Sequence, residues 1–259
     1  MRLTIIHYIL GISLLTNLPN VLLAQDLKGG KIIYEQVVDY ELEGAYDEPI
    51  WEDYIANIPK SGKSFHMLSF TREHSFYAED LSRKEKPHQE LSKAIMKANY
   101  YKAPQAKINQ IYYDFAKKEK IEQLTFMTRA FLVESATETH NWKLNNRRKK
   151  IMDYVCMGAD LQLDGETLTA WFTPQIPISI GPSNYHGLPG VILGLEKEEQ
   201  VFLLATSVQL EAPEGKLIEQ LANGQPYKSA AFAEVVQQKQ KEFLKMRETE
   251  KNEVKKSKY

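Results

Sequence analysis

One cysteine in 259 residues is the first constraint on this chain. Cys156 has no partner with which to close a disulfide, and no second thiol stands at a metal-ligand spacing. A buried, inert thiol is the expectation, because unpaired cysteine is among the most buried residue types. Histidine is also sparse, with six in all. His66, His74, His88, His140 and His186 are scattered without an HxxxH or HExxH pair, so no closed zinc site can be read from spacing. Ligand softness alone leaves metal handling by His, Met and Cys as an alternative. No GxSxG is present, and Ser179 and Ser183 have no recognisable base. Gly29-Gly30 precedes a strand and not a helix, so a phosphate cradle is missing too. No catalytic constellation, no cofactor and no metal site is therefore expected. Excess charge of one sign is lacking as well: 33 Lys and Arg stand against 34 Asp and Glu, a formal net charge of -1. Such a chain exerts no long-range pull on nucleic acid. The run Arg147-Arg148-Lys149-Lys150 reads as a hairpin tip or as gatekeepers of an edge strand.

Long hydrophobic runs are confined to the N-terminus. Met1-Arg2 carries one positive charge, Leu3 to Ala24 has no Asp, Glu, Lys or Arg, and Ala24 supplies a small residue before Gln25-Asp26. That pattern is a secretory signal peptide over 1–24, cleaved after Ala24. Asn17, Pro19 and Asn20 make the segment a poor permanent span, and an uncleaved anchor is the alternative. No cysteine follows Ala24, so lipid attachment at that junction is not available. The expectation is an exported protein, periplasmic, outer-membrane-associated or secreted, with no transmembrane helix after cleavage.

Period-two alternation dominates the chain beyond Asp26. Ile32, Tyr34, Val38, Tyr40 and Leu42 fall on one face of a strand, and Lys31, Glu35, Asp39 and Glu41 on the other. Ser64 to Phe70, His74 to Glu79, Asn109 to Phe115, Glu119 to Phe126 and Arg129 to Glu134 read as further strands. Asp164-Gly165 marks a hairpin turn. Val191 to Leu195 and Val201 to Leu210 form another hairpin over Glu196 to Gln200. Close spacing implies antiparallel neighbours. The fold class is mainly β: a meandering antiparallel sheet curled into a half-barrel or open barrel, occupying one domain over 25–228. Leu91, Ala94, Ile95 and Ala98 at helical spacing place a short helix inside an insertion over 80–108. Phe232, Val235, Val236, Phe243 and Met246 form the apolar stripe of a C-terminal helix over 229–247, docked on the sheet. A charged, disordered tail is expected over 248–259.

The stretch Ile176 to Glu196 carries the strongest local signature. Gly181-Pro182 and Gly187-Leu188-Pro189-Gly190 put four backbone-restricting residues within ten positions, which specifies a loop of fixed shape. Trp142-Lys143-Leu144, Ile151 to Ala159 with Tyr154 and Cys156, Leu168 to Thr173, Ile176-Pro177, Gly181-Pro182 and Gly187 to Ile192 occur in an order that resembles the GLPGLI family of exported Gram-negative proteins. The chain departs from the family's pattern at Asp153, where glycine is common, at Ser183, where tryptophan is common, and at Val191, which replaces leucine. The resemblance implies an extracytoplasmic β-rich protein and brings no reaction or catalytic residues.

Two accounts of the loop compete. In the first, Pro182, Tyr185, Leu188 and Pro189 plug the end of a curved sheet, and Gly181, Gly187 and Gly190 let the chain turn into the Val191 strand. In the second, the loop rims an apolar groove, with Trp171, Tyr185 and His186 against a ligand. The leading functional expectation is a binding or accessory protein of the cell envelope, its partner an unknown protein, peptide or lipid. Alternatives are a lipid carrier in the curved sheet, a metal-handling protein, and an enzyme pairing His186 with Asp164 or Glu166.

Overall fold

The computed structural model describes residues 27–40, 58–83, 89–99, 102–163, 165–198 and 200–257. The expected signal peptide and Asp164 lie outside them, as do Leu42 and most of the segment between β1 and β2. Among the described residues twelve strands share one sheet: β1 (Gly29–Asp39), β2 (Ser61–Thr71), β3 (His74–Glu79), β4 (Lys107–Asp114), β5 (Glu119–Phe126), β6 (Arg129–Ala136), β7 (Lys143–Ile151), β8 (Tyr154–Leu163), β9 (Glu166–Thr173), β10 (Val191–Lys197), β11 (Gln200–Gln209) and β12 (Gln225–Lys228). The helices are α1 (Gln89–Ala98) and α2 (Ser229–Ser257).

Strand order is β12-β6-β5-β4-β3-β2-β1-β11-β10-β9-β8-β7. Two antiparallel meanders, β1 to β6 and β7 to β11, are thus joined where β1 pairs with β11 in the middle of the sheet. The expected antiparallel meander holds except at one edge, where β12 runs parallel to β6 and pairs Gln225 to Lys228 with Phe131 to Glu134. Pro226 is tolerated there because an edge strand has a side that donates to no neighbour.

Curling comes from a length argument. Ten strand spacings separate β6 from β7 in the sheet, which in a flat sheet is about 48 Å at ~4.8 Å per strand. The chain joins them through Thr137 to Trp142, and seven Cα steps reach about 25 Å at most. The sheet must therefore bend until its two ends approach, while β7 and β12 remain unpaired edges.

Alternation sets the core. Ile32, Tyr34, Leu68, Phe70, Ile111, Ala170, Phe172, Ile192, Leu195 and Ala205 are all buried in one continuous cluster. Ile32 and Tyr34 behave as the alternation predicts, but Val38 is exposed, because β1 outruns its pairing with β11 at Gln36 and keeps only β2 as a neighbour. A 3-10 turn at Leu217–Gln220 places Leu217 against Phe76, Ala78 and Tyr112 on the other face. Phe232 of α2 packs on Leu124, Phe126, Phe131 and Val133. Helix α1 rests Leu91 and Ala94 on Ile58 and Tyr40.

The C-terminal helix corrects one expectation. It does not stop at Arg247 but runs on to Ser257. Residues 248–257 contain no Gly or Pro and are rich in Glu and Lys, both good helix formers, and Arg247 pairs with Glu250 one turn on at 2.7 Å.

Candidate functional site

The loop between β9 and β10 is core as much as loop. Ile176, Ile178, Ile180 and Leu188 are buried in the main cluster, each worth about 1.5–3 kcal/mol in removed apolar surface. Between them Pro177, Ser179, Gly187 and Pro189 face outward. The backbone advances through hydrogen bonds two residues apart, Ile178 N to Ile176 O at 2.8 Å and Ile180 N to Ile178 O at 2.9 Å, the signature of successive γ-turns. Ile192 N donates to Ile180 O at 3.0 Å and Val191 N to Ile176 O at 3.0 Å, so the loop doubles back along β10. Tyr34, fully buried, fixes the same strand from below by donating its hydroxyl to Ile192 O at 2.7 Å.

Two glycines are required by this path. Gly190 has φ of +152°, and a side chain there would be driven into the carbonyl of Thr173. Gly181 leaves no room either, since a Cβ would stand 2.5 Å from Tyr185 O and 2.8 Å from Ile192 Cδ1. Pro182 is buried beside it, and Ser183 turns the chain at φ of +55°. Asp153, another of the three departures, sits exposed beside Met152 in the two-residue turn between β7 and β8.

Tyr185 and His186 come together with residues the sequence did not single out as a group. His186 contacts Tyr113 (ring centroids 5.1 Å), Phe115 (5.5 Å) and His140 (5.2 Å). Tyr185 contacts His140 and Trp142. The linker from β6 to β7 thereby meets the Gly/Pro loop at the seam where the two ends of the sheet approach. Polar contacts lock the junction: Trp142 Nε1 donates to His186 O at 2.8 Å, His140 Nε2 contacts Asn184 O at 2.7 Å, and Tyr113 donates its hydroxyl to Asn184 Oδ1 at 3.1 Å. Lys120, buried on β5, contacts Glu138 at 3.2 Å and Glu122 at 3.4 Å. His186 is only 7 % exposed, yet its Nε2 has no hydrogen-bond partner among the described residues. Burial and, secondarily, His140 lower its pKa to about 4, so the ring is neutral across the physiological range.

Trp171 stands elsewhere. Phe172 pairs with Ile192, which touches the loop, and neighbouring residues of a strand point to opposite faces. Trp171 therefore lies on the face of β9 away from the loop, where Lys149 Nζ sits 4.1 Å and Arg147 Cζ 5.3 Å from its ring centroid. Its Nε1 donates to Glu196 Oε2 at 2.9 Å. Glu196 also accepts from Lys149 Nζ at 2.9 Å and Arg147 Nη1 at 3.2 Å. Arg147 Nη2 donates to Thr169 Oγ1 at 2.6 Å, Thr169 donates to Asp160 Oδ1 at 2.7 Å, and Asn145 Nδ2 donates to the same oxygen at 2.9 Å. Hydrogen bonds from Lys149 and Trp171 hold the Glu196 carboxyl below its usual range despite the opposing effect of burial. The basic run is thus split along an edge strand: Arg147 and Lys149 reach across Trp171 to Glu196, although Arg147 stays exposed like Arg148.

The remaining chemistry is quiet. Cys156 is fully buried, and burial pushes its thiol up to about 11. Glu166 pairs with Lys197 at 2.6 Å, and the charged groups felt by His186 are His140, Glu138 and Lys120. Among the described residues no three His, Cys, Asp or Glu side chains already converge as a metal cage. A polar cavity of about 320 Å³ lies along the outer side of the loop, lined by Leu27, Arg72, Pro177, Ile178 and Ser179.

Comparison with known proteins reaches the same loop. A family model described as "Protein of unknown function (Porph_ging)" matches residues 161–194, a span that takes in β9, the whole Gly/Pro loop and the start of β10. No curated protein matches the chain. Two solved structures of PNGF-II, in C2 and P21 space groups, are similar in fold, with TM-scores of 0.53 and 0.52 at 12 % and 13 % identity. The match covers 82 % of this chain but only 33 % and 34 % of the PNGF-II chains. The chain thus spans about a third of the length of these neighbours, and the likeness is one of fold alone.

Proposed function

We propose that this chain is an exported envelope protein of the GLPGLI type that binds a partner at the seam of its curled sheet. The observation that carries this reading is the junction of Tyr185, His140 and Trp142, three half-buried rings held in place by hydrogen bonds to backbone carbonyls and by the buried loop. Rings with an apolar body and a polar edge suit a contact that is partly wet, and their positions are fixed before any partner arrives. Loop 176–190, within the segment matched by the family model, delivers Tyr185 to that junction. A protein or peptide suits this site better than an acyl chain. Ile176, Ile178, Ile180 and Leu188 fill the inner space that a lipid carrier keeps open.

The test is a photo-crosslinking residue placed at Tyr185 in the protein expressed in its own envelope. A discrete cross-linked species, absent when the crosslinker is moved to exposed Met127 on the β5–β6 turn, is expected. A smear identical at both positions sinks the reading. Export is checked separately by fractionation and N-terminal sequencing, with a start at Gln25 expected.

A further inference from the structure

Two imidazoles meet at the seam, within electrostatic reach of one carboxylate, Glu138, in a way the partner-binding reading does not use. His186 places a buried Nε2 there with no hydrogen-bond partner among the described residues. An unpartnered buried nitrogen is costly, and in folded proteins it calls for a ligand or a water. His140 is the nearest ring nitrogen donor, its centroid 5.2 Å away and its plane tilted by 59°. Metal–nitrogen bonds of about 2.1 Å at tetrahedral angles set two imidazole centroids about 5 Å apart.

The tautomer of His140 is set by its neighbour. Asn184 O can only accept, so the 2.7 Å contact makes Nε2 the protonated nitrogen and leaves the Nδ1 lone pair available. An imidazole whose second nitrogen donates to a backbone carbonyl is the arrangement that orients metal-ligating histidines. Glu138 lies two residues before His140. Its side chain is 61 % exposed, and it contacts Lys120, which keeps Glu122 as a second counterion. An exposed glutamate with one such contact turns at little cost.

We propose that His140 Nδ1, His186 Nε2 and the Glu138 carboxylate form a binding site for one zinc-class divalent ion, with a water or a partner's side chain completing a four-coordinate shell. The donor set is one that borderline ions accept. Neutral imidazoles are what such an ion requires, and ion binding releases any proton they hold. Among the described residues no three such side chains stand gathered around an ion site, so forming this one requires the Glu138 carboxylate to turn away from Lys120.

The experiment is titration of the purified, chelator-treated full chain with Zn²⁺ by calorimetry and with Co²⁺ by visible absorption. One equivalent per chain and the intense visible bands of four-coordinate cobalt, bleached by Zn²⁺, are expected. His140→Gln and His186→Gln should each weaken binding at least tenfold, Glu138→Gln several-fold, and His74→Gln, on the other meander, not at all. Absence of saturable binding, a six-coordinate cobalt spectrum, or an affinity unmoved by His140→Gln overturns the site. If His186→Gln fails to fold by circular dichroism, the half-exposed positions His140 and Glu138 decide the matter. Cross-linking at Tyr185 in the presence of chelator keeps this proposal separate: a partner captured there without metal supports the docking reading whatever the titration shows.

Discussion

Two ring-and-charge clusters occupy the two faces of the β8–β10 region, and they differ in how fully their polar atoms are matched. Around Trp171 the indole N–H, both Glu196 oxygens, Thr169, Asn145 and two cations are joined in one network that ties edge strand β7 to the interior of the sheet. Around His186 the rings are as tightly packed, yet one buried nitrogen is left unmatched. A complete network rigidifies and specifies a fold, whereas an incomplete one costs stability that something else must return. The first cluster is architecture, and the second has the form of a site. Aromatic residues close to basic ones do not distinguish the two cases; hydrogen-bond completeness does.

The largest expected effect comes from breaking the complete network at its centre. Glu196→Ala leaves the indole N–H of Trp171, a residue only 4 % exposed, without an acceptor and strips Lys149 and Arg147 of their shared counterion. Loss of one partner from a buried charged cluster costs about 3–5 kcal/mol, and the partial exposure of both cations puts the cost near 3 kcal/mol. Urea denaturation measures it. A loss under about 1 kcal/mol would demote the network to surface decoration.

Acid separates the clusters next. His186 has a folded pKa lowered to about 4 from 6.5. Its neutral ring therefore contributes stability that is present above 6.5 and disappears as pH falls toward 4. The depression corresponds to about 3 kcal/mol. Glu196 is also depressed, but from a carboxylate value. Its contribution is intact above about 4.5 and is lost only as pH falls through its lowered folded value. Stability of chelator-treated protein should thus fall in two steps, the seam first and the Glu196 network second. His186→Leu should shrink the first step and leave the second, the remainder of the first belonging to His66, whose pKa burial also lowers. A single step below 4.5 would contradict the buried, unpaired state of His186.

Legibility in the sequence divides along the same line. Strands β2 to β6 and the β10–β11 hairpin are readable because alternation is local, and the loop is readable because only Gly and Pro suit its path. What joins distant positions is not. Glu196 lies 25 residues from Trp171 and 49 from Arg147, and no periodicity links them. Trp171 and Tyr185 look like partners in the sequence because each flanks the same loop. Strand alternation, counted from the loop-facing Phe172, puts them on opposite faces. His140 is visible only as a scattered histidine, since its meeting with His186 depends on a linker that crosses between the ends of a curled sheet. One signal does point there: the linker is too short for a flat sheet, so its residues have to lie at a closure.

Trp171→Phe is a smaller and sharper test of the complete cluster. It keeps most of the ring and the cation contacts but deletes the bond to Glu196, whose remaining donors are Lys149 and Arg147. A hydrogen bond to a charged group contributes about 1.5–3 kcal/mol. Because Glu196 keeps two cationic donors, the expected loss in urea is about 1.5 kcal/mol.

The smallest effect belongs to His186→Leu, and its smallness is the informative part. Leucine has nearly the volume of histidine and packs against Tyr113 and Phe115 without a polar atom to satisfy. Volume-conserving changes in a core cost under about 1.5 kcal/mol. Removing an unmatched buried nitrogen returns about 1–3 kcal/mol. The two offset, so metal-free His186→Leu should denature within about 1 kcal/mol of the parent at neutral pH, although His186 is more deeply enclosed than most residues of the loop. A cost above about 3 kcal/mol would mean that the imidazole nitrogen has a partner in the folded protein, and the contrast between the two faces of β9 would collapse. If stability is kept while Zn²⁺ binding is lost, the histidine is there for a ligand and not for the fold, which is the opposite of what Glu196 and Trp171 do on the other side of the same strand.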